Sequence, residues 1–233
     1  MCFSPTVSFA TAAFTGSLGA IALARSPEKR QWPLAAMPLL FAAQQLIEGM
    51  LWLTLPTAPT GPVCLTLSFS YLSTAQVFWP VYAPIAVMLA EPLASRRRAM
   101  LASPIIGAII GGYMLLSLLT GPHYALIANQ HIIYRSNQAQ PMLLGLAYLW
   151  AVCMPMILSS SRPIRIMGMI ITAGSIVAHY FYWRSFLSVW CFFAASASVI
   201  VLVYIEQARR LAARTPGHQA QGRSSTEIDW ARS

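Results

Sequence analysis

Glu48 is the one acid of this chain placed deep inside an apolar stretch, FAAQQLIEGMLW (41–52). A charge at the centre of a membrane helix costs about 2.5–3.5 kcal/mol on insertion scales. This carboxyl must therefore be neutral, paired or turned toward a wet cavity. At 100° per residue Gln44, Gln45, Glu48 and Trp52 fall within an arc of about 100°. They form a polar stripe that a helix bundle would turn inward, with Glu48 as titrating or coordinating group and the two glutamines orienting it. His179 is the partner expected from a second stripe, since Gly168, Thr172, Ser175, His179 and Trp183 recur at i, i+3/i+4 spacing. Cys2 falls at the outer mouth of the first helix, Cys191 near the outer start of the seventh and His131 in the outer loop, and Trp190 precedes Cys191.

Thiolate, imidazole and carboxylate are ligands that zinc accepts. Cys2, Glu48, His131, His179 and Cys191 thus make a candidate set for zinc or another transition metal, although no CxxC, HxxxH or HExxH spacing supports it. Other pairings are open at this level. Cys2 and Cys64 would suit a disulfide on an oxidising outer face, and Arg135 or Arg184 would suit an ion pair with Glu48. Three functions remain. The first is binding, with transport or sensing, of a small ligand, proton or metal in an outward-facing polar pocket. The second is a metal-dependent membrane hydrolase or lyase in which the held ion activates water. The third is a structural membrane subunit without a site. No Gly-rich phosphate loop, Ser/His/Asp order or basic–aromatic surface is present, so the expected partners are the lipid bilayer and a small ligand or ion, not nucleic acid. An oligomer is open.

The elements that must position these residues are apolar helices. The chain is 57% hydrophobic and 9% charged, far below the soluble average of about 25% charged. Seven runs, about 5–25, 33–55, 64–90, 100–120, 141–160, 164–183 and 186–206, are each long enough for a hydrocarbon core of about 30 Å. Because the first charge is Arg25, no basic region precedes the first run and a cleaved signal peptide is not expected. With alternate loops assigned to opposite sides, 13 Lys and Arg residues fall on one side and two, Arg135 and Arg184, on the other. The positive-inside rule then predicts an all-α polytopic seven-helix bundle, N-terminus outside and C-terminus inside. Residues 1–206 form its domain, and 207–233 a mostly disordered cytoplasmic tail.

Local signals refine this plan. Pro80 and Pro84 in WPVYAP are expected to kink the third helix. Gly107, Gly111 and Gly112, and Ala194 with Ser198, suit close helix approach in lipid. In the 121–141 connection, YALIA and HIIYR flank Asn129-Gln130, a hairpin turn signal; the segment would either fold over the outer mouth as a lid or serve as an ordered linker. RSPEKR and EPLASRRR read as inner anchors open to anionic lipid.

The opening MCFSPTVSF, the segment PLLFAAQQLIEGMLWL, HIIY and SVWCFFAASAS resemble a bacterial integral-membrane family, without an assigned activity, whose members begin Met-Cys-Phe-Ser. The resemblance spans residues 1 to about 205. It implies a bacterial inner-membrane protein of seven helices, and it emphasises Cys2, Gln45, Glu48, His131, Trp190 and Cys191. Alkaline ceramidases also place zinc in a seven-helix bundle, but they use several membrane histidines where this chain has only His179.

Overall fold

The computed structural model describes residues 4–128, 131–136, 142–181, 190, 193–195 and 197–214. Most of them are helical. Helix α1 (Pro5–Arg25) starts where Ser4 accepts the Val7 N–H through its side chain and Pro5 occupies the first turn, an ordinary helix opening. Its buried stripe is small throughout, Ser8, Ala12, Thr15, Gly19 and Ala22, so α2 (Trp32–Thr54) lies against it at close range. A Cβ on Gly19 would stand 2.7 Å from the Leu39 backbone nitrogen, and one on Gly49 would stand 2.8 Å from the Phe9 ring. Small residues are what helix pairs use in lipid, where burial alone gives no drive to associate.

The next span is one rod made of α3 (Pro62–Leu72), a π-helical turn (Ser73–Phe78) and α4 (Trp79–Ala90). Its widened turn has a sequence cause. The Trp79 N–H bonds to Thr74 O, five residues back. The next acceptor in that register, Ala75 O, would need a donor at residue 80, which is proline and has none. The Tyr148 hydroxyl, from α7 (Met142–Leu158), supplies the missing bond at 2.5 Å. Pro84 likewise leaves Pro80 O without its i+4 donor, and α6 (Ala102–Thr120) packs directly over that carbonyl. A Cβ on Gly107 would stand 1.7 Å from Pro80 O, and one on Gly111 would stand 2.9 Å from Val77 O. A wide turn thus precedes Pro80 in the span where kinks at Pro80 and Pro84 are expected, and α7 and α6 lie against Ala75 O and Pro80 O. Two more tyrosines tie helices to main-chain carbonyls, Tyr82 to Pro33 and Tyr204 to Ala90.

Short α5 (Ala94–Met100) leads into α6. The hairpin forms from β1 (His123–Ala128) and β2 (His131–Ser136), antiparallel with Ala125 opposite Tyr134 and Ala128 opposite His131. The expected Asn129-Gln130 turn lies outside the described residues. After α7 come α8 (Arg162–Phe181) and α9 (Val199–Arg214). Among the described residues five helical stretches are long and apolar enough to cross a membrane: 5–25, 29–54, 62–90, 94–120 and 162–181. Helix α7 is apolar but shorter. Of the expected 186–206 span, a part lies outside the described residues, and α9 continues past the expected boundary at 206 to Arg214. The tail from 215 also lies outside them.

At the end of α4 a second buried acid ties the chain together. Glu91 is fully buried. It accepts bonds from Ser159 Oγ (3.0 Å), the Ser160 N–H (2.8 Å) and the Leu93 N–H (3.2 Å). Burial pushes its pKa up, but the bonds from Ser160, Leu93 and Ser159 outweigh burial and hold the carboxyl below its ordinary value of 4.5. Its contribution to stability is therefore complete at neutral pH and is lost only as pH falls through that lowered value.

Gly107 and Gly112 provide a matched test of the α4–α6 contact, since a Cβ on Gly112 would meet nothing within 4 Å. Gly107→Ala should lower the melting temperature of the detergent-purified protein, with a cost of about 1–3 kcal/mol or more. Gly112→Ala should leave it unchanged or raise it slightly. Equal melting temperatures for the two variants would contradict the close approach.

Candidate functional site

The polar stripe of α2 is buried as a unit: Gln44 is 1% exposed, Gln45 1% and Glu48 0%. It divides between two neighbours. Gln44 accepts a 2.6 Å bond from the Trp79 indole N–H through Oε1, and Trp79 stacks on Phe41 with ring centroids 4.0 Å apart. The Gln45 amide donates to Glu48 Oε2 at 3.1 Å. Gln45 lies one turn from Gly49, which meets Phe9 of α1. Two antiparallel registers place what lies around the carboxyl. Gly19 against Leu39 and Phe9 against Gly49 bring Ser8 about level with Glu48. Trp79 on Gln44 brings Ala75, in the π-helical turn, to the same height.

Toward the C-terminal end of α2 from Glu48, the hairpin packs against α2 and α3. Ala125 and Ile132 join Leu51, Leu55, Cys64 and Tyr71 in one buried cluster, with Trp52 and Tyr134 packed against it. The Tyr71 and Tyr134 rings stack at 4.3 Å, nearly parallel, and His123 tilts onto Phe69. The hairpin is thus anchored to α3 by aromatic packing. Beneath it, Ser8 Oγ, Gln45 Oε1, Trp52 Nε1, Ser68 Oγ and Ser73 Oγ are buried with no hydrogen-bond partner. Buried polar atoms are rarely left so, and water or a bound group is a usual resolution. Gln45, Glu48 and Trp52 therefore present an acceptor, a carboxyl and a donor along one helix face.

The other expected residues fall elsewhere. His131 opens β2, half-buried, and burial lowers its pKa below 6.5, so the ring is neutral at physiological pH. His179 is exposed, although Gly168 and Ser175 of its stripe are buried and Thr172 is half-buried. The buried face of α8 runs through Ile164, Met167, Ile171 and Ala178, and His179 projects beyond its edge. Helix α8 packs on α7 and α9, whereas α2 packs on α1, α3, α4 and α9. Glu48 and His179 thus stand on helices whose principal described neighbours differ, α9 excepted. Trp190 is buried, donates to Ile171 O at 3.4 Å and meets the Tyr148 ring edge-on. It lines an apolar cavity with Met37, Phe41, Trp79, Met156 and Met167, about two to three turns from Glu48 toward the N-terminus of α2.

Cys2, Cys191 and Arg184 lie outside the described residues, and with them the Cys2–Cys64 disulfide. Arg135 is exposed and forms no ion pair among the described residues. No group of three or more His, Cys, Asp or Glu side chains is close enough there to hold a metal ion. Sequence reasoning did not single out Trp79, Ser8, Ser68, Tyr71 or Tyr134. For Trp79 the available signal was its place just before Pro80, where the main chain must deviate. Ser8 and Ser68 look like ordinary small or polar helix residues until their neighbours are known.

Residues 1–216 match the family of unknown function DUF6629, and the chain belongs to that family. No curated protein and no solved structure matches it.

The His131 ring predicts a pH response of the hairpin. A lowered folded pKa means that stability is complete above the unfolded value of 6.5 and is lost as pH falls below it. Amide exchange in β1 and β2, corrected for intrinsic rates, should accelerate as pH falls below about 6.5. His131→Asn should remove that dependence. Exchange that is unchanged across this window in the wild-type protein would contradict burial of the ring.

Proposed function

We propose that this member of the DUF6629 family is an integral membrane protein that binds a small polar ligand in the outer half of its helix bundle. In this reading Glu48 is the central group, Gln45 and Trp52 are direct contacts, and the β1–β2 hairpin is the cover. The observation that carries it is the pairing of a fully buried carboxyl with an unsatisfied acceptor, Gln45 Oε1, and an unsatisfied donor, Trp52 Nε1, on the same helix face. A ligand bearing both a donor and an acceptor would meet both and recover the desolvation of each. Gln44 acts as a positioning residue, since its bond from Trp79 fixes the rotation of α2 against α4.

The same reading takes the bundle as seven spans in a bacterial inner membrane, N-terminus outside, with transport or sensing as the use of the site. The charge split supports it, because Arg25, Lys29, Arg30, Arg96, Arg97, Arg98, Arg162 and Arg165 all fall on one side. The hairpin and the Glu48 chamber then face outward.

Native mass spectrometry of the detergent-extracted protein tests the site. A small molecule retained by the wild type should fall about tenfold or more in occupancy in Glu48→Gln and in Trp52→Phe, the loss of one or two hydrogen bonds to charged or buried groups. No retained mass, together with wild-type melting temperatures for both variants, would reject the site. Orientation has its own measurement. A cysteine at Tyr124 should react with an impermeant thiol reagent in intact cells, and one at Arg97 only after permeabilisation. The reverse pattern would invert the topology.

A further inference from the structure

At the α5 and α8 end of the bundle two guanidinium groups are drawn onto one carbonyl. Arg96 donates through Nη1 to Leu158 O (2.7 Å) and Ser159 O (3.2 Å). Arg165, in the first turn of α8, donates through Nη1 to Ser159 O (2.9 Å) and Ser160 O (3.1 Å). The two groups therefore lie within two hydrogen-bond lengths of each other, and like charges so placed repel. Glu91, whose carboxylate takes its bonds from Ser159, Ser160 and Leu93, makes no direct ion pair with either arginine. Among the described residues, ion pairs reach only Glu28 and Glu206, and none involves Arg96, Arg97, Arg98, Arg162 or Arg165. Each of the paired guanidiniums keeps Nε and Nη2 donors unspent. Arg96 is exposed and Arg165 half-buried, so both can be reached from outside.

We propose that Arg96 and Arg165 clamp the phosphate of an anionic phospholipid at this end of the bundle. A phosphate offers several charged acceptor oxygens in the geometry that guanidinium forks match, and it cancels the repulsion between the two groups. The surroundings favour a lipid over a free anion. Leu93 and Leu101 beside Arg96, and Ile157, Ile166 and Met169 beside Arg165, are apolar and substantially exposed, a surface that acyl chains would cover. The inference uses the membrane reading above for those chains and is independent of the Glu48 site.

The purified full-length chain, placed in nanodiscs of phosphatidylcholine with and without phosphatidylglycerol, provides the test, read by native mass spectrometry of retained lipid. Wild-type protein should retain phosphatidylglycerol over phosphatidylcholine by about thirtyfold, the surface attraction of two arginines. Arg96→Gln with Arg165→Gln should abolish the preference. Arg97→Gln with Arg98→Gln, on the same short helix, should keep it, and so should Glu48→Gln, which separates this site from the outer one. Equal loss in both arginine pairs would reduce the effect to diffuse surface charge and overturn the clamp. Displacement of the lipid by inorganic phosphate would assign the site to the free anion and overturn the lipid. Should the Arg96/Arg165 pair not fold, wild type alone decides: equal retention of the two lipids overturns the proposal, and a preference that inorganic phosphate does not displace supports it.

Discussion

Two proline-freed carbonyls organise the middle of this bundle. Where water is excluded, a main-chain acceptor without a partner costs several kcal/mol, so Ala75 O and Pro80 O must each be dealt with by a neighbour. Ala75 O takes the Tyr148 hydroxyl, which seats α7 beside the π-helical turn. Gly107 lets α6 lie directly against Pro80 O, where a Cβ would stand 1.7 Å from it. The placement of α6 and α7 around α4 follows from these contacts, and Tyr82 and Tyr204 repeat the device at the start of α2 and the end of α4. Hydrophobic burial, which drives soluble folds, does not discriminate between apolar helices in lipid; close approach and satisfied carbonyls do.

The two fully buried acids show how differently one residue type is used. Glu91 sits where the chain turns, meets one side-chain and two main-chain donors, and ties the α7–α8 connection to the end of α4. Its surroundings account for it as structure. Glu48 shares its helix face with Gln45 Oε1 and Trp52 Nε1, two buried atoms that lack partners, and the Tyr71–Tyr134 stack joins α3 to the hairpin beyond it. Toward the N-terminal end of α2 lies the apolar cavity lined by Met37, Phe41, Trp79 and Trp190 among others, with the Gln44–Trp79 bond between it and Glu48. That bond fixes α2 against α4, so the rotation of Glu48 depends on a residue that does not itself touch those unpaired atoms.

The α2 stripe was legible in the sequence because it is a property of one helix: 100° per residue places Gln44, Gln45 and Glu48 on one face whatever surrounds them, and all three are buried. The hairpin was legible from its two β-prone pieces, and the small residues of α6 from their spacing. The same arithmetic misplaced His179. Periodicity gives the angle between residues on a helix but not the direction in which the bundle lies, and α8 turns Met167, Ile171 and Ala178 inward, leaving His179 exposed.

By itself, then, the sequence determined a family, a set of long apolar helices, a charge asymmetry and one buried acid on a polar face, since each is local or additive along the chain. Which helices touch, which atoms are left without partners and which arginines converge depend on residues far apart in the chain. Tyr148 reaches Ala75 across 73 positions and Arg96 reaches Ser159 across 63. Only the tertiary structure decides these, because a hydrogen bond depends on distance and angle within a few tenths of an ångström, and no single-helix pattern carries that information.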